Sequence, residues 1–132
     1  MVVQCMIVGL GASIGAIGRY LIGVAVTKLS PENFLGGFPL GTALANVFGS
    51  FAIGFLSVIF VQMGEKGSSW RLFSITGLLG GFTTFSTFSL ETVALWQSQA
   101  FGLAVVNAVL SLGLCILGVI AGRFLGHMVY AS

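Results

Sequence analysis

An all-α membrane protein of four transmembrane helices is the fold this sequence predicts. The prediction rests on a near absence of charge, on where the few charges fall, and on glycines repeated at helical intervals. Of 132 residues, 57% are hydrophobic and 6% are charged, against about 25% charged in an ordinary soluble domain. A chain so poor in charge could not cover its own surface in water, so lipid is its solvent.

Between Met1 and Lys28 the only charged side chain is Arg19, and none occurs from Asn33 to Gly64, from Leu72 to Leu90 or from Thr92 to Gly122. About 20 apolar residues are needed to cross the hydrocarbon core. Four spans follow, roughly 4–26, 38–62, 71–97 and 101–126, filling a single domain, 1–132. The first span is expected to be retained rather than cleaved as a signal peptide. It lacks a basic leading region, and its apolar stretch outruns the roughly 7–15 residues of a signal core. The connections carry charge or turn residues: Lys28 to Asn33, Gly64 to Ser69, and Gln97 to Gln99.

The 20 glycines are about twice the usual share. Gly11 and Gly15, Gly37 and Gly41, and the run Gly118, Gly122 and Gly126 are spaced by four. That spacing puts them on one helix face, where two backbones can approach closely in lipid. Helix–helix contact is their expected role, with another span or another copy of the chain.

Orientation is weakly specified. Lys66, Arg71 and Arg123 share one side of the membrane, and Lys28 lies on the other, with Arg19 if it snorkels outward. Cytoplasmic loops are normally the ones rich in Lys and Arg, so this near balance predicts a chain that can insert either way up.

Several function classes are excluded at this point. A formal net charge of +2 is too small to suggest nucleic acid. Cys5 and Cys115 sit apart within spans and read as small packing residues, not a metal site or disulfide framework. His127, Glu32, Glu65 and Glu91 are scattered and form no catalytic constellation, so no enzyme is expected.

Polar residues inside the spans need partners, water or a passing substrate. Asn46 lies mid-way along the second span, and Asn107, Ser111 and Cys115 share a face of the fourth. The third carries Gly80-Gly81-Phe82-Thr83-Thr84-Phe85-Ser86-Thr87-Phe88-Ser89, then Glu91. Adjacent glycines followed by adjacent threonines weaken the helix there, so a break is expected mid-membrane. Irregular backbone at that depth is tolerated only where protein buries it or it lines a cavity. Phe85 and Phe88 lie three apart, and their positive ring edges can favour a small anion. The hydroxyls of Ser86 and Thr87 and the amide of Asn46 can donate to one. Phenylalanines in a membrane helix are usually lipid-facing or core residues, and for a single polar residue an interhelical bond is the default. Together, on three helices, the polar residues look more like the lining of a path. Tightly packed glycine faces leave little room at a bundle's own centre, so a path would run between protomers.

Gly15-Ala16 with Arg19-Tyr20, Gly41-Thr42 with Asn46 and Gly49, and Gly77 followed by the string from Gly80 to Ser89 and by Glu91 together resemble the Fluc (CrcB) family of small fluoride channels. The likeness covers nearly the whole chain. It implies a fluoride-selective channel of the cell's inner membrane, built as an antiparallel, dual-topology homodimer with two pores between subunits. It also implies a structural Na⁺ at the dimer centre, held by the backbone carbonyls of Gly80 and Thr83. Asn46, Phe85, Ser86, Thr87, Phe88 and Ser111 would line the ion pathway, and Arg19 the vestibule. Thr84, Glu91 and Asn107 are further polar candidates. The implied partners are fluoride, the lipid bilayer and a second copy of the chain, with no nucleic acid. A heterodimer with a sister chain remains compatible with one sequence.

Two rivals come from other classes. A small proton-coupled multidrug-resistance-type exporter would hold an acidic residue deep in its first helix, where this chain has only Arg19. A non-transporting assembly subunit would need the glycine faces alone and leaves the polar stretch of the third span unexplained.

Overall fold

The computed structural model describes residues 1–29 and 34–131, and among these every regular element is helical. Helix α1 (Val2–Leu29) is followed by a 3-10 turn, Phe34–Gly37, and by α2 (Leu40–Met63). A second 3-10 turn, Gly64–Gly67, leads into α3 (68–82), a composite of an α turn at Ser68–Arg71, a wide π-type stretch at Leu72–Leu79 and a last turn at Gly80–Phe82. Thr83 and Thr84 are extended, and α4 (Phe85–Gln97) then completes the third crossing. Helix α5 (Phe101–Ala131) is the fourth.

Glycine decides which helices pair. A Cβ on Gly11 would strike the carbonyl of Phe73, and one on Gly15 the carbonyl of Leu78. From the other side, a Cβ on Gly77 would lie 2.7 Å from the Val8 carbonyl, and one on Gly81 would strike that of Ala12. Helices α1 and α3 therefore meet backbone against backbone. The same holds for α2 and α5. A Cβ on Gly122 would collide with the Phe51 carbonyl and one on Gly54 with that of Val119, while Gly118 and Gly126 face Val47 and Val58. In lipid, where apolar burial gives no drive for helix association, close approach of this kind supplies dispersion contact instead.

The buried apolar core is small: Ala45, Val58, Phe60, Leu79, Phe88 and Ala104. Large side chains such as Ile14, Leu117 and Ile120 are more than half exposed. Apolar surface on this scale requires lipid or a partner to cover it. Helices α1, α2 and α5 are each long and apolar enough to span a membrane, and α3 and α4 make the remaining crossing in tandem. Trp70 and Trp96 lie near the two ends of that crossing and are exposed, as befits rings anchored at the two headgroup levels.

Three details differ from the sequence expectation. Gly37 stands in the 3-10 turn at φ 85° with nothing near its Cβ position, so of that glycine pair only Gly41 packs, against Gly23. Helix α2 starts at Leu40, just after Pro39, and α1 and α5 run beyond the expected span ends. The widened turns at Leu72–Leu79 have no counterpart in the sequence expectation. The Ser30–Asn33 part of the first connection lies outside the described residues.

Candidate functional site

The break in the third crossing falls on the two threonines. Thr83 has φ −84° and ψ 154°, and Thr84 has φ −151° and ψ 115°. Each arm is finished by a threonine side chain. The Thr83 hydroxyl and N–H both donate to the Leu79 carbonyl, at 2.9 and 3.0 Å, closing α3. The Thr84 hydroxyl accepts the Thr87 N–H at 3.1 Å, capping α4.

Asn46 reaches across from α2 and satisfies Thr84 on both sides. Its Oδ1 accepts the Thr84 N–H at 2.7 Å, and its Nδ2 donates to the Thr84 carbonyl at 3.0 Å. Arg19 reaches from α1, and its Nε donates to the Gly81 carbonyl at 3.3 Å. In a continuous helix Thr84 N–H would bond the Gly80 carbonyl, and Thr87 N–H the Thr83 carbonyl. Both donors are diverted, to Asn46 and to the Thr84 hydroxyl. Two backbone oxygens are thereby released at the break, and neutral oxygens of this kind suit a hard cation. Gly80 is exposed and Thr83 half-buried, so this donor set fits a small cation shared with a neighbouring surface.

Beside the break lies a cleft of about 310 Å³, open on the bundle's outer side. Its walls include Asn46, Gly49, Ser50, Gly80, Thr83, Thr84, Phe85, Phe88, Ser111 and Cys115. Phe85 and Phe88 stand with ring centroids 5.4 Å apart and planes tilted by 43°. Their settings are opposite: Phe88 is 8% exposed and belongs to the core, whereas Phe85 is 71% exposed and projects from the bundle. Cys115, expected to be mere packing, is half-buried in this wall.

Not every sequence candidate faces the cleft. Ser86 and Thr87 bond the Thr84 hydroxyl at 3.2 and 3.0 Å and so brace the break. Asn107 is 1% exposed. Its Nδ2 donates to Thr92 Oγ1 at 2.8 Å, tying α5 to α4, and Ser111 donates back to its Oδ1 at 3.2 Å. Thr92, which its sequence context does not single out, donates in turn to the Phe88 carbonyl at 2.7 Å. The only available signal was its place one turn after Phe88.

Arg19 and Lys28 line a second cleft of about 450 Å³ between α1 and α2, with Thr42 on its wall. The Thr42 hydroxyl donates to Glu91 Oε1 at 2.8 Å. Glu91 thus sits behind this cationic cleft, not in the first one. The two clefts share no lining residue: Asn46 and Phe85 stand at one, Arg19 at the other.

The family profile described as "CrcB-like protein, Camphor Resistance (CrcB)" matches residues 6–123. The chain is 42% identical over 127 residues to a protein named Fluoride-specific ion channel FluC from Ruminiclostridium cellulolyticum, covering 96% of this chain and 95% of the relative. A protein of the same name from Agrobacterium fabrum is 40% identical over 97% of this chain and 99% of its own length. One from Elusimicrobium minutum is 44% identical over 90% of each. With three membrane-length helices, a broken third crossing between them and a match over residues 6–123, this chain belongs to the CrcB family.

Proposed function

We propose that this protein is a fluoride channel that lets the anion leave the cytoplasm passively, and that two antiparallel copies assemble to form it. One observation carries this. The third crossing is interrupted by two extended residues, and the tilted pair Phe85 and Phe88 stands beside the interruption in a cleft that opens outward. A path built only inside one copy would not leave Phe85 71% exposed at membrane depth. A second copy laid over the cleft would cover that ring and close the walls.

Fluoride is small and strongly hydrated, so a pore must replace most of its water. Ring edges of Phe85 and Phe88 offer positive charge without a competing proton. The second Nδ2 hydrogen of Asn46 supplies a donor beside the rings, and Ser86 and Thr87 hold the capped turn that places it. Arg19 and Lys28 raise the local anion concentration at the mouth between α1 and α2. The carbonyls of Gly80 and Thr83 would hold Na⁺, which when bound supplies a fixed positive charge favouring anions nearby. Neutral HF enters from acidic surroundings and is trapped as fluoride in a more alkaline cytoplasm. A passive leak, helped by the inside-negative potential, then lowers the internal level.

Efflux from liposomes containing the purified protein tests this, read with fluoride and chloride electrodes. Fast fluoride release with negligible chloride release is expected. Equal release of both ions, or proton-coupled uptake of cationic dyes without fluoride release, would overturn it.

A further inference from the structure

The hydrogen bonds behind Phe88 run in one direction, and that direction constrains Ser111. Thr92 has a single hydroxyl proton, and it is committed to the Phe88 carbonyl at 2.7 Å. Thr92 Oγ1 can then only accept from the group facing its lone pairs. That group is therefore the Nδ2 of Asn107, at 2.8 Å. The amide plane in turn fixes Oδ1 on the opposite side, towards Ser111, whose proton it accepts at 3.2 Å. Asn107 is 1% and Ser111 5% exposed, so water does not scramble this order. Ser111 nonetheless belongs to the cleft wall.

The links are unequal. O–H···O bonds cluster near 2.7–2.8 Å, which the Thr92 link meets and the Ser111 link exceeds by several tenths. The terminal bond is the weak one, and it is the one beside the cleft.

We propose that Ser111 is a proton-donating latch whose hydroxyl rests on Asn107 Oδ1 and is handed to an anion that accepts more strongly, with Asn107 and Thr92 as the positioning residues that set this threshold. The inference rests on the channel function proposed above. Fluoride is a far stronger acceptor than an amide carbonyl and takes over the hydrogen bond. Chloride is a poor one and leaves it in place. Selectivity thus gains a chemical filter in addition to the width of the aromatic passage. No covalent bond changes; one hydrogen bond is exchanged for another.

Two measurements test the latch. In protein with ¹⁵N-labelled asparagine side chains, the Asn107 amide resonance should shift on titration with fluoride, stay still with chloride, and stay still with both in Ser111→Ala. In planar bilayers, Thr92→Val lets the Asn107 amide turn and frees the Ser111 proton in advance. The fluoride concentration giving half-maximal current should then fall by roughly 2–10-fold, the worth of one competing hydrogen bond. Thr92→Ser, which keeps the hydroxyl, should match wild type, and Thr92→Val combined with Ser111→Ala should match Ser111→Ala alone. Asn107→Leu should reproduce the Thr92→Val shift, which covers the case in which the valine variant fails to assemble. An Asn107 resonance indifferent to fluoride, or a Thr92→Val effect that persists without the Ser111 hydroxyl, overturns the latch. Absence of fluoride current in the wild type would instead overturn the channel function, whatever the resonance does.

Discussion

Asn46 grips Thr84 with both halves of its amide, accepting the N–H at 2.7 Å and donating to the carbonyl at 3.0 Å. The side chain of one helix thus replaces the bonds that another helix loses where it breaks. Asn46→Leu would leave two backbone groups unpartnered at membrane depth, at about 1–3 kcal/mol each. Fluoride efflux should vanish, with lowered resistance to unfolding in detergent. Asn46→Asp keeps the acceptor and should keep the fold better, while its charge cuts efflux at least about tenfold. Equal stability and equal flux for both variants would show the grip to be dispensable.

The two rings of the cleft should separate stability from conduction. Phe88 is buried, and Phe88→Ala should cost about 3–5 kcal/mol. Phe85 stands clear of its own bundle, so Phe85→Ile should change protomer stability by less than about 0.5 kcal/mol yet depress fluoride flux. Denaturant titration beside liposome efflux on both variants reads the contrast. An unimpaired flux in Phe85→Ile would remove that ring from the path.

Glycine substitutions should sort by what surrounds them. Gly15→Ala and Gly122→Ala drive a methyl into the Leu78 and Phe51 carbonyls, whereas Gly9→Ala and Gly113→Ala meet open space. The first pair should reduce the yield of folded protein severely, and the second should be neutral, as judged by size-exclusion profiles in mild detergent.

Cys115 offers a chemical probe of the cleft, since it shares a wall with Asn46 and Phe85. A neutral maleimide added to reconstituted protein should slow fluoride efflux several-fold, and Cys115→Ser should abolish the sensitivity. Cys5 is exposed on α1 and is not part of that wall, so Cys5→Ser should leave the sensitivity intact.

Charge at the second cleft should act over distance. Arg19→Gln should lower fluoride flux several-fold at low ionic strength, with the deficit shrinking as inert salt screens the field. Arg19→Lys should restore most of the flux while losing the Nε bond to Gly81. A lysine variant as poor as the glutamine one would assign Arg19 to holding the break instead.

Spacing alone made the Gly118, Gly122 and Gly126 face legible, because a four-residue interval means the same thing wherever a helix already exists. Gly37 misled for the same reason. The interval does not tell whether the helix has begun, and Pro39 was the marker that it had not. The break was legible because Gly80-Gly81 and Thr83-Thr84 weaken the helix locally. The widened turns at Leu72–Leu79 were not: they lie where α1 approaches closely at Gly11 and Gly15, and such an approach is a property of two segments together. Thr92 was passed over likewise: its importance depends on Asn107, and only the packing of α4 on α5 brings the two within 2.8 Å.

The division of the third crossing has a consequence for how the chain enters the bilayer. Helix α4, with 13 residues, is about 20 Å long, well short of the roughly 30 Å it would need to span the hydrocarbon alone. Its two arms carry exposed carbonyls between them until Asn46 and Arg19 arrive from α2 and α1. During synthesis this segment should therefore wait at the translocon until earlier helices can receive it, and release into lipid should be the slow step of biogenesis. Truncations ending soon after Gln97 would then be the ones most readily extracted by alkali from membranes.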